Sequence, residues 1–233
     1  MREWLHATVL GATLLSAGLG SMGCRAQAAR LGPAGRNPPP CQPAGVARPV
    51  TGADAPLPPA ELSRRRQRVV AAARREAAGS MGQPASPEPA GGGFIVRAYR
   101  AAGWPMDTAR QPDAAELFRL AERSGYVRGP REPRPADLAF FHHTRDANGN
   151  GRLDDPLTLV ALVERIDEDG TVHLLHLRHG RVRPLLVNPQ HPHQRRMGKK
   201  VVNSYLRPRR RGDLPETPYL AGQMLAGFAT MLR

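Results

Sequence analysis

The spacing of apolar residues changes halfway along this chain, and that change restricts the class of fold that the chain can adopt. In the first half, apolar residues at helical intervals predict helices over Glu61–Gly79 and Phe94–Ala102, and a third helix that begins at the Asp113 cap. In the second half, short apolar runs are separated by turn signals such as Asp169-Gly170 and His179-Gly180. These runs are Leu138–Phe141, Leu157–Val163, Val172–Leu177, Val182–Val187 and Val201–Leu206. Because the connections are too short for crossover helices, the sequence predicts an α+β domain with N-terminal helices packed on an antiparallel sheet.

A further helix is predicted at the end of the chain. Thr217-Pro218 has the sequence of a helix cap followed by a first-turn proline. Apolar residues then recur every four positions, at Leu220, Met224, Phe228 and Leu232. A helix of this length is too short to cross a bilayer. We expect its apolar ridge to pack on the domain, and contact with a membrane surface is the alternative.

The first 23 residues have the composition of an export signal. Trp4 to Gly23 carry hardly a charge, and their apolar run is followed by small residues rather than by a basic stop. The four residues Ser21 to Cys24 resemble a bacterial lipobox, in which the cysteine is acylated and becomes the new N-terminus. This predicts lipidation at Cys24 and a membrane-anchored lipoprotein of the cell envelope, at the outer membrane if the organism is Gram-negative. Ordinary cleavage, a retained anchor and the absence of export are the alternatives.

Residues 24–60 are predicted to form a tether rather than part of the folded domain. They are rich in Pro, Gly and Ala, which stiffen the chain and offer little to a core. The only two cysteines of the chain, Cys24 and Cys41, both lie in this tether. Cysteine chemistry is therefore excluded from everything that follows it.

The chain is strongly basic, with a formal net charge of +14. Such a charge attracts polyanions whatever the fold, although the abundance of Arg, Ala, Gly and Pro is also typical of a GC-rich genome. Basic residues gather in the ranges 195–200 and 207–211, where Tyr205 is the only nearby aromatic residue, so we expect no nucleic-acid partner. Anionic lipid or cell-wall phosphate is the expected partner of these residues, and a solvated basic face is the alternative.

Four segments together resemble the NlpC family of papain-like bacterial cell-wall peptidases and its CHAP relatives. They are the helix Val69 to Ala77 and the stretches 91–99 (Gly-Gly-Gly-Phe-Ile-Val-Arg-Ala-Tyr), 135–141 (Pro-Ala-Asp-Leu-Ala-Phe-Phe) and 158–163 (Thr-Leu-Val-Ala-Leu-Val). The family has Asp-Cys-Ser-Gly-Phe, Pro-Gly-Asp-Leu-Val-Phe-Phe and Thr-His-Val-Gly-Ile in the last three places. The resemblance implies a papain-like domain over 61–206. The export signal (1–23) and the tether (24–60) precede this domain, and a basic segment with the C-terminal helix (207–233) follows it.

The resemblance also implies that the catalytic positions of the family are empty in this chain. In the family a cysteine at a helix N-terminus is the nucleophile, a histidine on a facing strand shares its proton, and a third polar residue orients that histidine. Gly91 stands in the place of the cysteine and Leu159 in the place of the histidine, and neither side chain can act. His176 matches the orienting position or is an ordinary histidine of the sheet. His173, His176 and His179 are not expected to form a metal set, because strand alternation puts His176 on the opposite face.

Residues 146–155 contain a candidate calcium site. Oxygen-bearing side chains at alternate positions, followed by Gly151, match the opening of an EF-hand-like loop. Leu157 occupies the place of the closing glutamate, so Asp154 or Asp155 would have to close the site. The candidate residues are Asp146, Asn148, Asn150, Arg152, Asp154 and Asp155. A structural calcium ion is one prediction, and a polar turn that joins two strands is the alternative.

These observations predict an envelope-tethered and catalytically inactive domain that binds peptidoglycan peptides or an envelope protein in its remnant cleft. No cofactor is expected to be required. The alternative from the enzyme class is an active cell-wall hydrolase or amidase on the same fold, which would have to draw on residues such as His142, His143, Asp137 and Ser80. A structural adaptor lipoprotein, held at the surface by lipid and basic residues, is the other alternative.

Overall fold

Three helices precede the sheet in the order that the sequence predicts, and they are α1 (Pro59–Gly79), α2 (Gly93–Ala101) and α3 (Ala114–Arg123). The predicted capping box of α3 is confirmed: the Asp113 carboxylate accepts a hydrogen bond from the Glu116 N–H at 2.7 Å, and the Glu116 carboxylate accepts one from the Asp113 N–H at 3.0 Å. Among the described residues, none of the helices has the length and apolar character needed to cross a bilayer.

The computed structural model describes residues 57–80, 91–108, 111–124, 127–128 and 132–232. The chain divides into two units, Met1–Pro49 and Val50–Arg233, and all described residues belong to the second. The predicted export signal, the lipidation site at Cys24 and most of the tether 24–60 lie outside the described residues.

The strands form a six-stranded antiparallel sheet in the order β1-β8-β2-β3-β4-β5. Its strands are β1 (Val127–Arg128), β2 (Leu138–Phe141), β3 (Leu159–Ile166), β4 (Val172–Arg178), β5 (Arg181–Val187) and β8 (Leu225–Ala229). A separate pair is formed by β6 (Arg196–Met197) and β7 (Lys200–Val201). The predicted α+β class with an antiparallel sheet is therefore confirmed for the described residues.

Each face of the sheet carries its own core. Residues of α1, α2 and α3 such as Val69, Ile95 and Leu117 pack with Leu138 and Phe140 of β2. The alternate residues of the same strand, Ala139 and Phe141, belong to a second cluster on the opposite face, which follows from the two-residue period of a strand. This second cluster also includes residues from the last thirty positions of the chain, Leu206, Ala221, Met224 and Phe228.

The prediction of a long C-terminal helix is wrong. Only Ala221–Met224 (α4) is helical, and the chain then becomes β8, which pairs with both β1 and β2. Two glycines weaken the predicted helix, and Gly227 has a φ of +155°, which a side chain would disfavour. The apolar residues face different cores, since Phe228 packs in the second cluster and Leu232 in the first. Strand β8, which follows residue 206, is therefore part of the same sheet as strands β2 to β5.

The predicted strand Val201–Leu206 is also wrong, because only Lys200–Val201 pairs as a strand. Asn203 is fully buried, and its side chain accepts from the Asn188 N–H and donates to the carbonyls of His191 and Gln194. These side-chain bonds replace the ladder bonds of a strand and hold an irregular segment in the interior.

A buried ion pair joins the first helix to the sheet. The Arg66 guanidinium of α1 lies 2.9 Å from the Asp137 carboxylate just before β2, and the side chains are 9% and 0% exposed. Arg66 also donates to the Pro135 carbonyl and to the Thr230 hydroxyl after β8. The second carboxylate oxygen of Asp137 accepts from the Arg134 N–H. Arg66 therefore connects α1, β2 and the C-terminal segment at one point.

Candidate functional site

A cavity of about 270 Å³ lies where the N-termini of α2 and α3 meet the paired ends of β3 and β4. The three positions that the sequence singled out, Gly91, Leu159 and His176, all line it. Its other lining residues are Asp113, Ala114, Thr144, Arg145, Thr158, Val160, Leu177, Arg178, His179 and Leu206. Residues that are far apart in the sequence thus share one recess.

Gly92 explains why the N-terminus of α2 lies at this recess. Its N–H donates to the Pro112 carbonyl at 3.1 Å, and a Cβ at position 92 would lie 2.4 Å from that carbonyl oxygen. Only glycine permits such a close approach of two backbones. The contact brings the start of α2 against the segment that leads into α3. Gly91, by contrast, has no heavy atom within 4 Å of the position of an added Cβ.

The two neighbouring glycines are therefore expected to respond differently to substitution. Gly91→Ala should change the free energy of unfolding by less than about 0.5 kcal/mol, because its Cβ meets open space. Gly92→Ala should cost about 1–3 kcal/mol, because its Cβ would force the Pro112 backbone away. Urea unfolding of the two variants measures the difference, and equal stabilities would contradict this account of the α2 N-terminus.

Leu159 and His176 reach the cavity from one face of the sheet. Leu159 packs against the second cluster, and His176 alternates with Leu175 and Leu177, which face the helices. His176 is 5% exposed, and its Nδ1 is buried without a hydrogen-bond partner among the described residues. Burial, and then the positive charges of Arg178 and Arg183, lowers the pKa of His176 to about 4. The imidazole is therefore neutral at pH 7.

The free energy of unfolding is expected to fall as the pH drops from about 6.5 towards 4. In this range the unfolded chain binds a proton at His176, whereas the folded chain binds it only near pH 4. The stabilisation is fully present above pH 6.5, and the pKa difference corresponds to about 3 kcal/mol. Urea unfolding at pH 7 and pH 4.5 measures it. His176→Gln should flatten this part of the decline, while His193→Gln, at an exposed position, serves as the histidine control. An unchanged pH slope in His176→Gln would contradict the assignment.

The described part of the cavity has no nucleophile paired with a base. Thr144 and Thr158 line it, but their hydroxyls are hydrogen-bonded to each other at 2.9 Å. Asp113 is engaged as the α3 cap. His176 makes no hydrogen bond to any of these side chains, so it activates none of them in this arrangement.

The residues considered for a hydrolase of another type do not line this cavity. Asp137 is paired with Arg66, and the Ser80 hydroxyl donates to the Ala77 carbonyl and accepts from the Val182 N–H. The Nδ1 atom of His142 accepts from the Leu157 N–H, and burial, followed by the neighbouring His143, lowers the pKa of His142. Asp137 and Ser80 therefore have structural roles.

Two arginines and one carboxylate, that of Asp113, line the cavity. Arg145 and Arg178 line it, and the N-terminus of α2, where backbone N–H groups have no helical partner, adds partial positive charge. The sequence did not predict either arginine, because no motif distinguishes them from the many others. Arg178 and Leu206 also line an adjoining groove of about 500 Å³, so the two recesses are neighbours.

His179 is closer to His176 than strand alternation predicts. Strand β4 ends at Arg178, and His179 has a φ of +51°, so the chain reverses there and both histidines line the cavity. His173 lies elsewhere, with its Nε2 at 2.9 Å from Asp167. Across the described ranges, no cluster of three or more His, Cys, Asp or Glu side chains could hold a metal ion.

The candidate calcium loop is held by its own hydrogen bonds. The Asp146 carboxylate accepts from the N–H groups of Gly149 and Gly151. Asp155 accepts from the Ala147 N–H and the Asn148 amide, Asn148 and Asn150 each accept from the N–H two residues on, and Arg152 lies 3.9 Å from Asp154. The oxygens thus have partners without an ion. Calcium stays a prediction, which thermal unfolding with calcium or with a chelator would test.

In comparisons with known proteins, no family model, no curated protein and no solved structure matches the chain.

Proposed function

We propose that residues 57–232 form a catalytically inactive relative of the NlpC-type papain-like peptidases. The domain is tethered in the bacterial envelope through Cys24, and its cavity binds peptidoglycan peptides or a segment of a protein partner. The observation that carries this proposal is that Gly91, Leu159 and His176, three positions selected from separate motifs, line a single cavity. A chance resemblance in three short segments would not be expected to bring those residues together.

The chemistry of the cavity supports binding rather than turnover. Gly91 leaves open space at the N-terminus of a helix, and Leu159 supplies an apolar wall where a base would stand. The arginines Arg145 and Arg178, together with the α2 N-terminus, suit a carboxylate. Peptidoglycan peptides and acidic protein segments both present carboxylates. The volume of about 270 Å³ suits a short peptide segment rather than a whole polymer.

Isothermal titration of the full chain with soluble muropeptides tests the proposal. We expect saturable binding that Gly91→Leu abolishes by filling the cavity and that Arg178→Gln weakens by about tenfold. Arg100→Gln removes the same charge from an exposed position of α2 and should leave binding unchanged. If a well-folded chain does not bind muropeptides, the peptide-binding proposal is overturned. If the chain captures an envelope protein and Gly91→Leu prevents this, the ligand of the cavity is a segment of that protein.

Incubation with intact peptidoglycan separates this proposal from the hydrolase alternative. We expect no released fragments, because the cavity holds no activated nucleophile among its described residues. Steady turnover would overturn the proposal. The double variant Gly91→Cys/Leu159→His restores both family residue types. Its thiol at position 91 should be more reactive than the thiol of the single variant Gly91→Cys. Thiol alkylation rates of the two variants measure this.

A further inference from the structure

Five arginines on α1, α2 and β3 are ion-paired: Arg65 with Glu61, Arg66 with Asp137, Arg74 with Glu164, Arg97 with Glu76, and Arg165 with Asp167. A second group lies around the groove that adjoins the cavity and in the loop beside it. We call this second group the basic patch and define it as Arg178, Arg195, Arg209, Arg210 and Arg211. All five are exposed, and none forms an ion pair with a described residue.

Two exposed large apolar side chains lie at the groove or in its loop. Among the described residues, three large hydrophobic side chains are exposed, namely Tyr205 at 57%, Leu214 at 62% and Val127 at 41%. Tyr205 lines the groove of the basic patch, and Leu214 follows Arg209–Arg211 in the same loop. Exposed apolar groups rimmed by polar residues mark interaction surfaces. An exposed leucine would contribute nothing to the binding of a soluble phosphate polymer.

The loop that carries the patch is held in position. Arg207 is 9% exposed, and its guanidinium donates to the carbonyls of Pro218 and His143. The Asp213 carboxylate accepts from the Tyr219 hydroxyl and from the Arg210 N–H, both at 2.6 Å. Asp213 is therefore held within the loop, and with the exposed Glu216 it offsets only part of the charge of the five arginines.

Arginines stack on both tyrosine rings of the groove. Arg195 lies over the Tyr205 ring at 4.8 Å from its centroid, and Arg207 and Arg209 lie over the Tyr219 ring at 5.6 and 5.8 Å. An arginine over a ring competes for that face with a nucleic-acid base, and base stacking is the usual contribution of aromatics to nucleic-acid sites. The stacking instead orders the guanidinium groups, whose N–H donors suit phosphate oxygens.

We propose that the basic patch, with Tyr205 and Leu214, binds the surface of an anionic bilayer. The arginines contact lipid phosphates, and Leu214 enters the interfacial region. This contact is separate from lipidation at Cys24, and Arg178 is the one member of the patch that also lines the cavity. The contact would hold the domain against the membrane in one orientation. A tether alone would let the domain move away from the membrane surface.

A fluorescence experiment on the full chain tests the proposal with a local readout, so that membrane binding by the N-terminal segment does not interfere. The chain carries Cys24→Ser, Cys41→Ser and Leu214→Cys, with an environment-sensitive dye on the new cysteine. We expect a blue shift with vesicles of phosphatidylglycerol and phosphatidylcholine, and none with phosphatidylcholine alone. The same dye at Gln67→Cys, an exposed position of α1, should not shift.

Charge variants complete the test. Arg209→Gln/Arg210→Gln/Arg211→Gln should weaken the vesicle-dependent shift by about a hundredfold in lipid concentration, and 0.5 M salt should do the same. Arg64→Gln/Arg68→Gln/Arg75→Gln, which removes equal charge from exposed positions of α1, should have little effect. Equal shifts at positions 67 and 214, or sedimentation with anionic vesicles without a shift at 214, would overturn the proposal. Binding of soluble polyphosphate in place of vesicles would also overturn it and would assign the patch to a phosphate polymer.

Discussion

Truncation of the chain after Leu206 is expected to abolish cooperative folding of the domain. The deleted segment contains β8, which lies between β1 and β2 in the sheet. It also contains Met224, Phe228 and Leu232, which are 2%, 0% and 1% exposed. Burial of three such side chains contributes about 5–9 kcal/mol, which is as large as the total stability of many domains.

Thermal unfolding followed by circular dichroism measures this effect. The matched control replaces the loop 208–216, whose residues are mostly exposed, with a Gly/Ser linker of equal length and keeps β8. We expect the control to unfold cooperatively and the truncated chain to show no transition. A cooperative transition in the truncated chain would mean that the domain ends at 206, as the resemblance to the family implies.

Arg66→Met is expected to destabilise the domain by about 3–5 kcal/mol, because it leaves the fully buried Asp137 carboxylate without its cation. The variant also removes the donors that Arg66 gives to the Pro135 carbonyl and the Thr230 hydroxyl. The junction of α1, β2 and the C-terminal segment is therefore held by polar contacts of the Arg66 guanidinium rather than by apolar packing.

A double-mutant cycle with urea unfolding separates the ion pair from simple loss of packing. Asp137→Leu added to Arg66→Met should recover part of the lost stability, since no buried charge is then left unpaired. Arg65→Met is the matched control: Arg65 is paired with Glu61 on the surface of the same helix, and its loss should cost less than about 1 kcal/mol. Equal losses for the two arginine variants would contradict a specific role for the buried pair.

The position of Asp137 in the structure shows that a residue of a family-like segment need not belong to a functional site. In the sequence, Asp137 belongs to a segment that resembles the NlpC family and was considered as a residue for an alternative active site. In the structure its carboxylate is fully enclosed by Arg66 and the Arg134 N–H, away from the cavity. A family-like aspartate is therefore a structural residue here.

Local patterns account for the elements that the sequence predicted correctly. Helix α3 was identified from Asp113 and Glu116, because a capping box is formed by residues three positions apart. Strands β2 to β5 were found from short apolar runs and intervening turns, which are also local signals. The class of the fold required only the linear order of apolar runs and turns, whereas the positions Gly91, Leu159 and His176 came from the resemblance to a family.

Long-range contacts decided the rest. Apolar residues four positions apart predicted a C-terminal helix, but β1 and β2 leave a place between them that a strand fills with ladder hydrogen bonds on both sides. No local pattern contains that information. For the same reason the sequence did not reveal that Arg66 is buried against Asp137, or that Arg178 lies at the cavity while Arg74 of α1 pairs with Glu164. The sequence by itself determined the α+β class, the order of most elements and the absence of a thiol beyond residue 41. Only the tertiary structure decided which charges are paired, because pairing depends on distances between residues that are remote in the chain.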